Sequence, residues 1–86
     1  SYDAPVEKVK AVLLETARAN PMVLADPAPM ARLASHGDSA LEYTLRVWCN
    51  SADYWPLNFD LMEQVRDAFD KAGIEIPYPQ MDVHTR

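Results

Sequence analysis

The sequence has few glycines, one cysteine and no long apolar run, and each shortage excludes a class of structure. Two glycines against seven prolines indicate stiff connections and leave no glycine-rich loop of the kind that cradles phosphate groups. A single cysteine cannot form an internal disulfide. No apolar stretch approaches the roughly 20 residues of a membrane-spanning helix, so this segment is expected to be soluble.

Positive charge is also scarce, and the basic residues are scattered. Lysine and arginine total 8 against 13 aspartates and glutamates, for a net charge of −5. Because phosphate binding needs a cationic face, nucleic acid and anionic membrane surfaces are disfavoured as direct partners. The hydrophobic content is sufficient for one small domain, since 49% of the 86 residues are hydrophobic and can form a core.

Helical spacing marks two segments. Asp3-Ala4-Pro5 opens the first, because aspartate caps free amides and proline is tolerated in a first turn, and Asn20-Pro21 ends it. Asn50-Ser51-Ala52-Asp53 offers caps for the second, and Gly73 stands just beyond its end. The apolar side of the first helix carries Val6, Val9, Val12, Leu13 and Ala17, and that of the second carries Leu57, Leu61, Met62, Val65, Ala68, Phe69 and Ala72.

Two adjacent segments between these helices predict a β-hairpin. Residues 30–35 form a short strand, and residues 41–49 alternate apolar and polar side chains as a half-buried strand does. His36-Gly37-Asp38-Ser39 joins them as a turn, in which Gly37 supplies the positive φ that such turns often need.

The end of the chain completes the predicted fold. Ile74-Glu75-Ile76 is predicted as a short strand, and Met81-Asp82-Val83-His84 is a candidate for a last one. The order α-β-β-α-β predicts an α+β fold, with one sheet and both helices on a single face. The ferredoxin-like plan, a sandwich of split βαβ units, needs one more strand before the first helix. We expect that strand to have been truncated at Ser1, which leaves a sheet edge that another chain could cover.

Five ordered pieces of the sequence carry a resemblance to a known family. They are residues 23–29 (VLADPAP), the turn 37–39 (GDS), the strand 45–48 (LRVW), the helix start 53–61 (DYWPLNFDL) and the exit 73–80 (GIEIPYPQ). Together, over about Tyr2 to His84, they resemble the C-terminal cytoplasmic domain of the small-conductance mechanosensitive channel family.

The resemblance implies a function and partners. Such channels are homo-heptamers of the bacterial inner membrane, opened by membrane tension during hypo-osmotic shock to release ions and small osmolytes. Their pore lies in upstream transmembrane helices, and this domain helps to form a hollow cytoplasmic vestibule that filters solutes. Residues 1–80 are then expected to be a vestibule domain, and residues 81–86 the start of a C-terminal barrel strand or a tail. The expected partners are further copies of the chain and the permeating solutes, with no cofactor.

Candidates for subunit contacts or structural roles are Trp48, Trp55, Tyr78, Met81 and Val83. Trp48 lies out of phase with the apolar face of its strand, so it belongs either to a minor second core or to a subunit contact. Trp55, before Pro56, is interpreted first as a staple that closes the helix entrance and otherwise as an interface residue.

No group of residues has the pattern of a catalytic or metal site. Cys49 is in register with Leu45 and Val47 and is predicted to be buried, and nothing places His36 or His84 beside it. The chain is therefore predicted not to be an enzyme. The main alternative is a ferredoxin-like regulatory domain that binds a small molecule between subunits. A third hypothesis, an acylphosphatase-like enzyme, would need a phosphate-binding loop that this chain does not contain.

Overall fold

Two helices pack on one face of a three-stranded sheet. The computed structural model describes residues 5–36 and 40–86. The predicted α+β class is confirmed. In chain order the elements are α1 (Val6–Ala19), β1 (Met30–His36), β2 (Ala40–Cys49), a 3-10 turn (Ser51–Asp53), α2 (Tyr54–Ala72) and β3 (Gln80–Thr85).

The sheet has β2 at its centre. β2 pairs with β1 in antiparallel fashion, with Leu33 opposite Tyr43, so the hairpin prediction is confirmed. It pairs with β3 in parallel, with Val47 opposite Val83. α2 is therefore the crossover between two parallel neighbours, and among the described residues no strand lies between them. This agrees with the predicted ferredoxin-like plan without its first strand: in the part of the chain that the structure describes, no strand is inserted into the β2–α2–β3 unit.

One core fills the space between the helices and the sheet. Each helix contributes a row of side chains about four residues apart, as the helical period requires, and β2 contributes alternate residues. Full burial of one such leucine or valine stabilises the fold by about 1.5–3 kcal/mol. The core consists of Val9, Leu13 and Ala17 from α1, Leu57, Leu61, Val65 and Phe69 from α2, Tyr43, Leu45, Val47 and Cys49 from β2, and Ile74.

Two residues assigned to the apolar sides of the helices by their spacing are exposed. Val6, in the first turn of α1 where the helix begins, is 36% exposed, and the other is Met62. Met62 is 49% exposed, whereas its neighbour Leu61 is fully buried. Successive helical residues are turned by about 100° from each other, and the buried row passes through Leu61, which leaves Met62 on the outer flank. The prediction that Met62 belongs to the buried side of α2 is therefore wrong.

α1 begins and ends at proline-containing segments. The carbonyl of Pro5 accepts the N–H of Val9 at 3.1 Å, and the predicted cap at Asp3 lies outside the described residues, as does the predicted turn glycine Gly37. At the other end Asn20 is extended, with φ −88° and ψ 120°, which is the conformation that a following proline favours. The predicted end of the first helix is confirmed.

The side chain of Asn20 also links the two helices. Asn20 is 3% exposed. Its Nδ2 donates to Oε1 of Gln64 at 3.0 Å, and its Oδ1 accepts the N–H of Met22 at 2.9 Å. A buried amide is tolerated here because both of its ends have partners.

α2 ends in a Schellman motif that overturns one strand prediction. Gly73 adopts the left-handed conformation, with φ 70°. Its N–H donates to the carbonyl of Asp70 at 3.3 Å, and the N–H of Ile74 donates to the carbonyl of Phe69 at 2.9 Å. Because Ile74 gives its N–H to the helix end and buries its side chain in the core, residues 74–76 do not form the predicted strand. The last strand is β3.

β3 belongs to the same sheet as the hairpin. The predicted boundary between residues 80 and 81 falls at its first residue, Gln80, and the continuation of this strand into a barrel stays a prediction. Neither helix that the structure describes combines the length and apolarity needed to cross a bilayer.

Candidate functional site

Metal-ligating side chains and the Cys49 thiol are the first candidates for a site in the described part of the molecule. Across residues 5–36 and 40–86, nowhere do three histidine, cysteine, aspartate or glutamate side chains gather closely enough to hold a metal ion. Cys49 is buried, as predicted. Its burial, and next the negative charge of Asp53, raise the pKa of the Cys49 thiol, which disfavours the nucleophilic thiolate. Two surfaces outside the core carry the exposed aromatic side chains and the cross-strand ion pair.

The first surface is an apolar run along the outer side of α2, here called the aromatic stripe: Trp55, Phe59, Met62 and Tyr78. Trp55 is 66% exposed, Phe59 62% and Tyr78 38%. The ring centroids of Trp55 and Phe59 are 6.4 Å apart, and the Tyr78 hydroxyl donates to the carbonyl of Met62. A contiguous exposed apolar patch is typical of a contact site.

The local sequence explains why the aromatic stripe is continuous. Trp55, Phe59 and Met62 follow one another at intervals of four and three residues, so they line one side of the helix. The chain then returns along α2, and Tyr78 lies between two prolines that restrict its backbone. The guanidinium of Arg66 lies over the Tyr78 ring, 5.2 Å from its centroid, which is a cation–π distance.

The aromatic stripe lies at the edge of the domain that is remote from α1. α1 meets α2 on the side of Gln64, which accepts from Asn20, and at the end of α2, where Nζ of Lys8 donates to the carbonyl of Ala72 at 3.0 Å. At about 100° per residue, Trp55 and Phe59 lie on roughly the opposite side of α2 from Gln64. α2 packs against β3, the last strand of the sheet, whereas α1 packs against β1, so the stripe is on the β3 side of the domain.

The second surface is on the face of the sheet turned away from the helices, here called the open sheet face: Arg46, Trp48, Asp82 and His84. Nε of Arg46 donates to Oδ2 of Asp82 at 2.8 Å. The rings of Trp48 and His84, partners in the same register, are 4.7 Å apart between centroids. Trp48 therefore lies on the predicted face, half-buried against an imidazole.

Asp82 is the electrostatic centre of the open sheet face. Nε2 of His84 lies 3.0 Å from its Oδ1, although the ring N–H is not aligned with that oxygen and has no aligned acceptor within the described residues. The contact with His84, and next the hydrogen bond from Arg46, hold the pKa of Asp82 below its ordinary value. The contact with His84 and the hydrogen bond from Arg46 each favour the charged form of the Asp82 carboxylate.

The five candidate residues divide among three places. Trp55 and Tyr78 meet in the aromatic stripe, and Trp48 lies on the open sheet face. Met81 and Val83 are on the helix side of β3 and pack, partly buried, against the core. Their roles in subunit contacts stay predictions. Trp55 lies 5.0 Å from Tyr54, between ring centroids, in an edge-on arrangement, and most of its surface is exposed.

Sequence reasoning missed Phe59 and Asp82. Phe59 could have been found, because it follows Trp55 by four residues and falls outside the buried row of Leu57 and Leu61. Asp82 had no such signal, because its contacts with Arg46 and His84 depend on the register in which β3 lies beside β2.

Sequence comparisons with known proteins agree on one family. The model of the family described as "Mechanosensitive ion channel MscS, C-terminal" matches residues 1–76. A small-conductance mechanosensitive channel of Edwardsiella ictaluri is 45% identical over 84 residues, which cover 98% of this chain and 29% of the relative. An uncharacterised MscS family protein of Synechocystis is 35% identical over 96% of this chain and 28% of its own length. The chain thus spans less than a third of these curated relatives.

A solved structure supports the fold. A MamM CTD variant in a nickel form superposes with a TM-score of 0.58, covering 94% of this chain and 99% of the other, at 16% sequence identity. At that identity the likeness concerns the arrangement of helices and strands alone.

Proposed function

Because this chain belongs to the MscS family of mechanosensitive channels, whose C-terminal domain it matches, we propose that it is a non-catalytic part of the wall of a cytoplasmic vestibule. The observation that carries this proposal is the family match over residues 1–76, together with 45% identity to a mechanosensitive channel over nearly the whole chain. In the full-length protein, a homo-heptamer of the bacterial inner membrane, seven such domains surround a space on the cytoplasmic side.

The proposed activity of the whole channel is tension-gated release of solutes. Membrane tension during hypo-osmotic shock opens the pore, and ions and small osmolytes leave through the vestibule. The domain contributes assembly contacts between subunits and a solute filter. Its net charge of −5 would raise the local concentration of cations and lower that of anions if the carboxylates line the vestibule.

Two physical features support a wall rather than a catalyst. The helices and sheet share one continuous core, and prolines restrict the connections, so the domain is suited to hold a fixed shape. The prominent side chains outside the core, such as Trp55 and Phe59, are exposed apolar groups, which suit contacts between proteins better than chemistry on a bound molecule.

The test is made on the full-length protein. A bacterial strain without mechanosensitive channels is transformed with the gene or with empty vector, and survival after a sudden dilution of the medium is scored. Patches from the same cells are then placed under suction. Survival above the vector control and a current that appears with tension are expected. Absence of a tension-activated current from a protein that reaches the membrane would overturn the proposal.

A further inference from the structure

The aromatic stripe is left uncovered by the other described residues of this domain. Trp55 and Phe59 each leave more than half of their surface in water, and such aromatic side chains dominate the energetics of protein contacts when buried. The stripe shares its edge of the domain with β3, which pairs with β2 and, in the part of the chain that is described, with no second strand. This edge therefore has both apolar side chains and backbone groups to offer a partner.

The opposite edge of the domain is formed by α1 and β1. Lys8, on the side of α1 that meets α2, bonds to Ala72. At about 100° per residue, Lys10, Leu14 and Arg18 lie on the side turned away from α2. We call these three residues the α1 flank. Leu14 packs in part against the core and leaves the rest of its side chain accessible. Lys10 is half-buried and Arg18 is exposed, so the flank has an apolar centre between two cations.

The charges of the two edges are complementary. Glu63 and Asp70 follow Phe59 by four and eleven residues, so at about 100° per residue they lie beside the aromatic stripe. They outnumber Arg66, so this side of α2 is net negative. Lys10 and Arg18 outnumber Glu7, the acid on the same side of α1, so the α1 flank is net positive. Within one copy the two edges face away from each other, whereas between two copies they can meet.

We propose that the aromatic stripe of one copy docks on the α1 flank of a second copy of this chain. This inference rests on the proposed function and assigns the residues of its lateral contact. The rings of Trp55 and Phe59 cover Leu14, and the flanking acids approach Lys10 and Arg18. The interface joins two different surfaces, so every copy keeps one free edge for the next, and the chain of contacts closes into a ring when the rotation permits.

Cross-linking of the full-length protein in detergent tests this contact. Phe59→Cys is combined with Arg18→Cys, and a bismaleimide is added. Because each copy would then be linked to both neighbours, we expect a ladder of covalent species beyond the dimer on a denaturing gel. A mixture of the two single variants should stop at small species, and each single variant alone should give none. The unchanged protein, whose Cys49 is buried, is treated in the same way and gives the background level of cross-linking.

The matched control moves the cysteine by one residue. Asp60 is exposed and adjacent to Phe59 but is turned by about 100° around the helix, so Asp60→Cys with Arg18→Cys should yield no ladder. Cross-linked dimers from Phe59→Cys alone would overturn the proposal, because they require two stripes to face each other. Phe59→Cys is also combined with Lys10→Cys. An intact oligomer that gives no ladder with either pair would overturn the proposal as well, because another part of the polypeptide would then cover the stripe.

A second pair of variants tests the charge of the contact without cysteines. Arg18→Glu is expected to weaken the oligomer in detergent at low salt, whereas Lys71→Glu, the same change on an exposed residue away from both edges, should leave it intact. Equal effects of the two would contradict the assignment. Tension-activated currents are recorded from the unchanged protein in parallel: their presence without a ladder refutes only this contact, and their absence refutes the proposed function.

Discussion

Arg46 and Asp82 are partners across the parallel strands β2 and β3, and Nε of Arg46 donates to Oδ2 of Asp82 at 2.8 Å although 36 positions separate them. A slip of the register by one residue would turn Asp82 towards the helices and the core. The pair is therefore diagnostic of how β3 lies in the sheet, and it fixes which side chains share the open sheet face.

The same carboxylate makes stability depend on pH. Its pKa is lowered in the folded state, so the Asp82 contacts stabilise the fold above the ordinary aspartate value of about 3.9 and lose that effect as pH falls through the lower folded value. Asp82→Asn should therefore cost at most about 1 kcal/mol at pH 7, because the group is partly exposed. In urea titrations the difference from the unchanged chain should shrink below about pH 4. Glu63→Gln is the control, and a difference that grows as the pH falls would contradict the expectation.

Neighbouring positions on α2 should respond very differently to truncation. Leu61→Ala is expected to lower the free energy of unfolding by about 2–5 kcal/mol, because it opens a cavity in the core. Met62→Ala should cost less than about 1 kcal/mol, as exposed substitutions usually do. Urea unfolding of the two variants measures the contrast. Similar costs would mean that Met62 is part of the core after all.

Asn20 provides a test of the link between the helices. Asn20→Ala removes the acceptor of the Met22 N–H and the donor to Gln64, and we expect a loss of about 1–3 kcal/mol, because a half-buried N–H is left without its partner. Gln64→Ala, at an exposed position, should cost less than half as much. The order of the two unfolding midpoints decides, and a larger loss for Gln64→Ala would refute this account.

Substitutions of Gly73 should change the stability of the fold through backbone strain alone. A Cβ at this position would meet nothing within 4 Å, so Gly73→Ala tests only the positive φ, which costs an ordinary residue about 1–2 kcal/mol. Gly73→Asn should cost less, because asparagine tolerates this conformation. Thermal unfolding of the three chains should rank them glycine, asparagine, alanine. An alanine variant as stable as the glycine form would exclude the strain.

Local patterns in the sequence were sufficient for most elements and for most of the side chains that each element buries. The period of four in Val9, Leu13 and Ala17 and the alternation around Cys49 depend on residues that are close in the chain, and the structure agrees with both. The proline after Asn20 and the glycine at position 73 likewise act within one or two residues, so both helix ends could be placed from the chain alone.

Long-range packing settled the rest. The last strand is Gln80–Thr85 and not residues 74–76, because the N–H of Ile74 donates to the carbonyl of Phe69 at the end of α2. The contacts of Asp82 depend on which strand lies beside β2, and no local pattern contains that choice. The exposure of Phe59 and Met62 follows from the side on which α1 covers α2. Such features arise from the sum of many distant contacts, each worth little alone, and therefore leave no local mark on the sequence.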